Sequence, residues 1–203
     1  MPAARESLLD SALSAVSTAD GRPWSAVRMT DVASAAGVSR QTLYNEFGSK
    51  EGLARALVRR EADRYLQGVD RVLAAPGASV GGEPLVLVAE WTVSAARSRP
   101  LVRALLTGCW TGRLPAPDPA PGRSRLPAQR RADAGPPAPG ELIAAVLHRA
   151  ALALSRGRAD EGEEAVDLRY RCEVAVRLAL SHVVAPGDRK VGHLVREAVG
   201  RAG

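Results

Sequence analysis

Apolar residues along this chain recur every three to four positions in segment after segment, and no segment shows a convincing strand alternation. Leu9, Ala12, Leu13 and Val16 predict a first helix over about 5–19, which "ADGRPW" ends with Gly21 and Pro23. Two short helices are expected over about 29–36 and 40–47. A long one over about 50–74 carries Leu53, Leu57, Leu66, Val69 and Leu73, and "APGASVGG" closes it. Residues 84–97 and 100–110 form two more helical segments, with Pro100 suited to a first turn. "LVLVAEW" could stand alone as a short strand, but Pro84 before it and the helical continuation argue for helix. Between 112 and 139 eight prolines, from Pro115 to Pro139, forbid a continuous helix and predict a long mobile loop. Helical spacing returns over about 140–156, 162–184 and 188–200. The expected fold class is all-α.

One stretch breaks the pattern in an informative way: "VASAAGVSRQTLYNEFGSKEGL", residues 32–53. A helix, a tight turn and a second helix within such a span make a helix-turn-helix arrangement. Val32, Ala33 and Ala36 give the first helix its apolar side, with Ala33 small enough for close approach. Gly37 stands where the helix must end in a left-handed conformation, and Val38 plugs the turn into the core. Ser39 is placed to cap the second helix through its side-chain oxygen. Leu43 and Phe47, four apart, face inward, which leaves Arg40, Gln41, Thr42, Tyr44 and Asn45 on the outer, N-terminal side. That end of such a helix is the part that reaches base edges in the major groove. Arginine pairs bidentately with guanine and glutamine with adenine, and a threonine methyl can touch that of thymine. Tyr44 and Lys50 suit phosphates. The structural alternative for each residue taken singly is a solvated surface position.

Composition adjusts this picture. Hydrophobic residues are 46% and charged residues 25% of 203, ordinary for a globular protein, and aromatics at 3% leave the core to Ala, Leu and Val. No run approaches the ~20 apolar residues of a membrane span. Glu6 and Asp10 fall where a signal peptide would be apolar, so a cytoplasmic protein without membrane association is expected. The net charge of +6 permits a polyanionic partner. Over residues 1–50, however, five cations (Arg5, Arg22, Arg28, Arg40, Lys50) balance five carboxylates (Glu6, Asp10, Asp20, Asp31, Glu46). Nucleic-acid contact there must come from placement, not from a global field. Much of the excess sits at Arg113, Arg123, Arg125, Arg130 and Arg131, for which a solvated loop is the favoured reading. Cys109, Cys172, His148, His182 and His193 show no metal-ligand spacing, so neither a metal nor a cofactor is expected.

At these residues the sequence resembles a known family. "MTDVASAAGVSRQTLYNEFGSKEGL" is similar to the DNA-binding signature of TetR-family transcriptional regulators, over about residues 5–60. The resemblance implies a helix-turn-helix domain over 1–49 and a helical effector-binding and dimerisation domain over 50–203, with 112–139 as its proline-rich loop. It implies a homodimer on a palindromic double-stranded DNA operator, commonly a repressor released by a small-molecule effector. Carried over by position, Ser39, Arg40, Gln41, Thr42, Tyr44, Asn45 and Lys50 would contact DNA, and Arg28 and Thr30 would touch phosphate. Two positions depart from the pattern. Arg28 stands where the family usually has a Ser or Thr cap, and Glu46 where a histidine is common. A carboxylate would be repelled by phosphate, so Glu46 is expected to pair with a neighbouring cation.

In the C-terminal half, Val166, Tyr170, Val174 and Leu178 fall on one line of their helix, and Val176, Leu180 and Val183 on a second. Val191, Leu194, Val195 and Val199 make an apolar stripe on the last helix. The two helices fit a dimer interface formed as a four-helix bundle, or else a purely intrachain core. Trp91, Arg103, Trp110 and His148 are candidates to line an effector pocket, with ordinary packing as the alternative for each. Two other function classes stay open: a helical enzyme carrying the motif, and an interaction module that no longer reads DNA. No nucleophile–base pair, phosphate-cradling loop or metal motif is visible, so the expectation is a non-enzyme.

Overall fold

In the computed structural model, residues 2–17, 22–75, 83–116, 136–155 and 162–200 are described, and every regular element among them is helical. The helices are α1 (Pro2–Ser17), α2 (Met29–Ala35), α3 (Arg40–Phe47), α4 (Lys50–Leu73), α5 (Glu83–Ser98), α6 (Pro100–Thr107), α7 (Pro139–Leu154), α8 (Glu163–Val184) and α9 (Val191–Gly200). A single 3₁₀ turn, Trp24–Ala26, interrupts the loop after α1. The segment "LVLVAEW" is helical, inside α5. Of the expected loop over 112–139, residues 117–135 lie outside the described residues, and Pro139 already belongs to α7.

Several boundaries differ from the periodic reading, and at α6 the reason is identifiable. Helix α6 stops at Thr107 rather than 110, because Gly108 takes a left-handed φ of 71° and donates its N–H back to Ala104. The apolar Cys109 and Trp110 had extended the pattern past that cap. Helix α9 starts at Val191, three residues later than the apolar run suggested.

The chain divides into two compact units: Met1–Ala62 with Cys109–Pro137, and Asp63–Gly108 with Ala138–Gly203. The first unit buries Leu8, Leu9, Ala12, Val32, Ala33, Leu43, Phe47, Leu53, Leu57 and Val58. At ~1.5–3 kcal/mol for each large aliphatic side chain removed from water, this small core is what holds α3 in place. Arg60 of α4 is the polar clamp of that unit. Its Nη1 lies 2.8 Å from Asp10 Oδ1 and 3.2 Å from Glu6 Oε2, both on α1. Its Nε and Nη2 are buried without a hydrogen-bond partner.

In the second unit α5 packs against α6, α8 and α9. The Tyr65 hydroxyl meets Thr92 Oγ1 at 2.9 Å, and Thr92 donates to the Val88 carbonyl at 2.7 Å. Burial pushes the Tyr65 phenol up to about 12, with the Thr92 hydrogen bond opposing, so it stays neutral at physiological pH. Trp91 lies against Gly68, where a Cβ would fall inside the indole ring, and donates Nε1–H to the Tyr65 carbonyl at 3.2 Å.

Candidate nucleic-acid interface

The local chemistry around α3 follows from a few side chains. Gly37, at φ 68°, ends the first helix of the motif, and the Val38 N–H reaches back to the Ala33 carbonyl. Ser39 is the N-cap of α3: its Oγ accepts the Thr42 N–H at 3.0 Å and also meets Thr42 Oγ1 at 2.9 Å. Leu43 and Phe47 are buried, at 0% and 9% exposure, so one side of this two-turn helix is fixed to the core.

The opposite side is polar and accessible. Ser39, Arg40, Gln41 and Asn45 are exposed, and Thr42 and Tyr44 are half-buried. These groups are organised among themselves. Gln41 Nε2 donates to Asn45 Oδ1 at 2.8 Å, one helical turn away. The Arg40 guanidinium lies over the Tyr44 ring, 5.2 Å from its centroid. The face therefore presents a stacked cation and an oriented amide instead of freely rotating side chains, which lowers the ordering entropy that recognition must overcome.

Three flanking positions complete the surface. Arg28 is the exposed N-cap residue of α2 and makes no side-chain cap hydrogen bond; Thr30 is exposed in the first turn. Lys50, opening α4, donates Nζ–H to the Ser25 carbonyl at 3.1 Å and sits 5.3 Å from the Trp24 ring centroid. An ammonium has three donors, so two remain for an anion. Beside it, the carboxyl of Glu51 is held below its ordinary range, first by its own backbone N–H and then by the Ser49 hydroxyl. Glu46 pairs with Arg5, whose Nη1 lies 3.5 Å from Glu46 Oε2 and whose guanidinium stacks 4.7 Å from the Phe47 centroid. The misplaced carboxylate is thus neutralised from α1.

Residues 14–57 match the model of "Bacterial regulatory proteins, tetR family". Over this N-terminal stretch the chain is similar to the tetR family. A 106-residue stretch is 44% identical to the HTH-type transcriptional regulator AlkX of Mycobacterium tuberculosis (strain ATCC 25618 / H37Rv), covering 51% of this chain and 47% of the relative. The chain thus spans about half the length of the curated relative it matches. The crystal structure of the TetR family repressor AlkX from Dietzia sp. is similar at 25% identity and TM-score 0.52, covering 95% of this chain and 92% of that one. A tetR-family regulator from Streptomyces coelicolor shares the fold at TM-score 0.59 and 20% identity, over 100% of this chain and 79% of its own. The 3₁₀ turn at Trp24 and the identity of Arg5 as the cation on Glu46 were not foreseen from sequence. The bulky Trp24 in an otherwise turn-forming stretch was the one local signal.

The remaining candidates separate. His148 lines a cleft of about 510 Å³ between α7 and α8, with Leu147, Ala151, Leu168, Arg169 and Cys172. Trp91, Arg103 and Trp110 do not line it. Trp91 packs on α4 between Arg71 and Arg99, Arg103 is exposed on α6, and Trp110 belongs to the first unit. On α8, Val166 and Tyr170 are 67% and 62% exposed, and Val184 is 64% exposed. Val174, Leu178 and Leu194 are half-buried, whereas Val191, Val195 and Val199 are buried, on a helix packed against α5 and α8 of the same chain.

The two thiols differ in a way that can be measured. Cys109 is exposed and Cys172 buried, and burial pushes the Cys172 thiol up to about 11, with Arg171 opposing. At pH 8 its thiolate fraction is then on the order of a thousandth. Thiol labelling at that pH is expected to show one fast and one slow cysteine, the slow one reacting at full speed only on unfolding. Two equally fast thiols would contradict the packing of α8.

Proposed function

We propose that the chain is a sequence-specific transcriptional regulator that binds a palindromic operator as a homodimer in the cytoplasm and acts as a repressor released by a small-molecule effector. One observation carries the reading: a two-turn helix capped by Ser39 and anchored by Leu43 and Phe47 offers Arg40, Gln41, Tyr44 and Asn45 on its free side. Arg28, Thr30 and Lys50 are the proposed phosphate contacts around it, with Ser39 and Thr42 at the helix start. The similarity of residues 14–57 to tetR-family regulatory proteins supports it.

The exposed apolar residues Val166, Tyr170 and Val184 supply a face for a second copy, consistent with a dimer through α8. Buried Val191, Val195 and Val199 would support that face from within. The α7–α8 cleft is the proposed effector site. Its aliphatic walls with His148 and Arg169 at hand suit an elongated apolar molecule bearing a polar or anionic end. The similar Dietzia repressor is described as implicated in biodegradation of n-alkanes, which agrees with an apolar effector class.

Selection of bound duplexes from a random pool tests the proposal. The expected result is one enriched motif with two-fold symmetry, its half-sites about one helical turn apart or somewhat further on bent DNA. Retention of DNA without any enriched motif would leave only unspecific binding, and no retention at low salt would end the proposal.

A further inference from the structure

The loop before α2 is built as a rigid seat. Pro23 opens the 3₁₀ turn Trp24–Ala26 at φ −59°, the angle its ring imposes. The Ala26 N–H returns to the Pro23 carbonyl at 2.8 Å, and the Val27 N–H to the Trp24 carbonyl at 3.1 Å. Val27 is buried and anchors the end of the turn in the core. From outside the loop, the Arg113 carbonyl accepts the Trp24 N–H at 3.0 Å, and residues 109–116 lie in the same compact unit. Arg22 Nη1 pairs with Asp31 Oδ2 on α2 at 3.3 Å and ties the start of the loop down. The turn is therefore fixed at both ends.

What it holds is a cation whose charge it does not cancel. The Lys50 ammonium lies 5.3 Å from the Trp24 ring centroid and donates to the Ser25 carbonyl at 3.1 Å. Both partners are formally neutral. An indole face and an amide carbonyl orient an ammonium through partial charges, so its whole charge remains for a phosphate. Other cations of this unit are held differently: Arg5 pairs with Glu46, and Arg22 with Asp31. The Glu51 carboxylate beside Lys50 is engaged first by its own backbone N–H and then by the Ser49 hydroxyl, and Lys50 is the smallest of the influences on it. A lysine head on its flexible stem has much rotamer freedom to lose. Fixing it before DNA arrives removes part of that cost from the binding step.

We infer that Trp24 is a positioning residue for DNA binding: its indole, with the Ser25 carbonyl, sets the Lys50 ammonium in place for a backbone phosphate. This rests on the proposed DNA-binding function and assigns a role to a turn outside the two helices of the motif. Trp24 acts only through Lys50, and a phosphate contact carries no base information. Its effect must therefore be the same on every sequence and must vanish when Lys50 is absent.

The test is a double-mutant cycle on the intact protein, read as binding to the selected operator and to a random duplex across a salt series. Trp24→Leu, which keeps apolar bulk but removes the π face, should weaken both duplexes about 2- to 5-fold, the worth of one exposed cation–π contact. It should keep the parental salt slope, because the ammonium is still present. Trp24→Phe should recover most of the affinity. Lys50→Ala should flatten the log–log salt slope by about 0.9, and adding Trp24→Leu to it should cause no further loss. The inference is overturned if Trp24→Leu binds as the parent does, or if it costs the same factor with and without Lys50, since Trp24 would then serve the fold alone. If the parental protein shows no salt-dependent binding to any duplex, the functional proposal itself fails, and the inference with it.

Discussion

Leu43→Ala should remove about 2–5 kcal/mol of stability from the N-terminal unit, the range for truncating a fully buried leucine. Leu43 is 0% exposed, and α3 has only eight residues, with Phe47 as its other buried anchor. A two-turn helix has little stability of its own, because nucleation is unfavourable and few hydrogen bonds offset it. Its position therefore depends on these two side chains and on the Ser39 cap. Operator binding should fall by more than any single surface substitution on α3 produces, while far-ultraviolet circular dichroism changes little, since the longer helices persist. Chemical denaturation with a probe at Trp24 checks the energy, and a fluorescence binding assay checks the coupling. A loss below about 1 kcal/mol would mean that α3 is held by something other than this core.

The helix-turn-helix was legible because its determinants are local. Apolar spacing fixed which side of α3 is buried, Gly37 and Ser39 marked the turn and the cap, and the balance of charge singled out Glu46 as a residue in need of a cation. The identity of that cation was not legible. Arg5 reaches Glu46 from α1, and contacts between distant segments leave no periodic trace. The same holds for the carbonyl of Arg113 on Trp24, which joins a turn after α6 to the loop after α1. The stripe on α9 illustrates a different limit. An amphipathic helix must bury its apolar face, but the pattern is the same whether the partner is in its own chain or in another. In this fold α9 places Val191, Val195 and Val199 within its own unit, with Gly192 in close approach to Glu90 and Val86 of α5. Among the described residues, the large exposed apolar side chains are instead Val166, Tyr170 and Val184 on α8, with Leu152 on α7. The pocket candidates failed to converge for a related reason: single Trp, Arg and His residues carry no information about which helices face each other.

Arg40→Ala and Gln41→Ala should each weaken operator binding by about 1–3 kcal/mol, roughly 5- to 150-fold, with little effect on random duplexes. The geometry explains why two exposed side chains could matter so much. Gln41 uses one amide hydrogen on Asn45, which leaves its second hydrogen and its carbonyl oxygen for a single adenine edge. Arg40 is stacked on Tyr44, so its guanidinium plane is set before any guanine is met. Asn45→Ala should then reduce the operator preference as well, though less, by releasing Gln41 without removing it. Lys50→Ala provides the contrast: it should weaken operator and random DNA by the same factor and flatten the salt dependence. The decisive quantity is the ratio of operator to random affinity. If Arg40→Ala and Gln41→Ala lower both affinities equally, the polar face of α3 grips the backbone without reading bases, and specificity must come from the shape of the DNA between the half-sites.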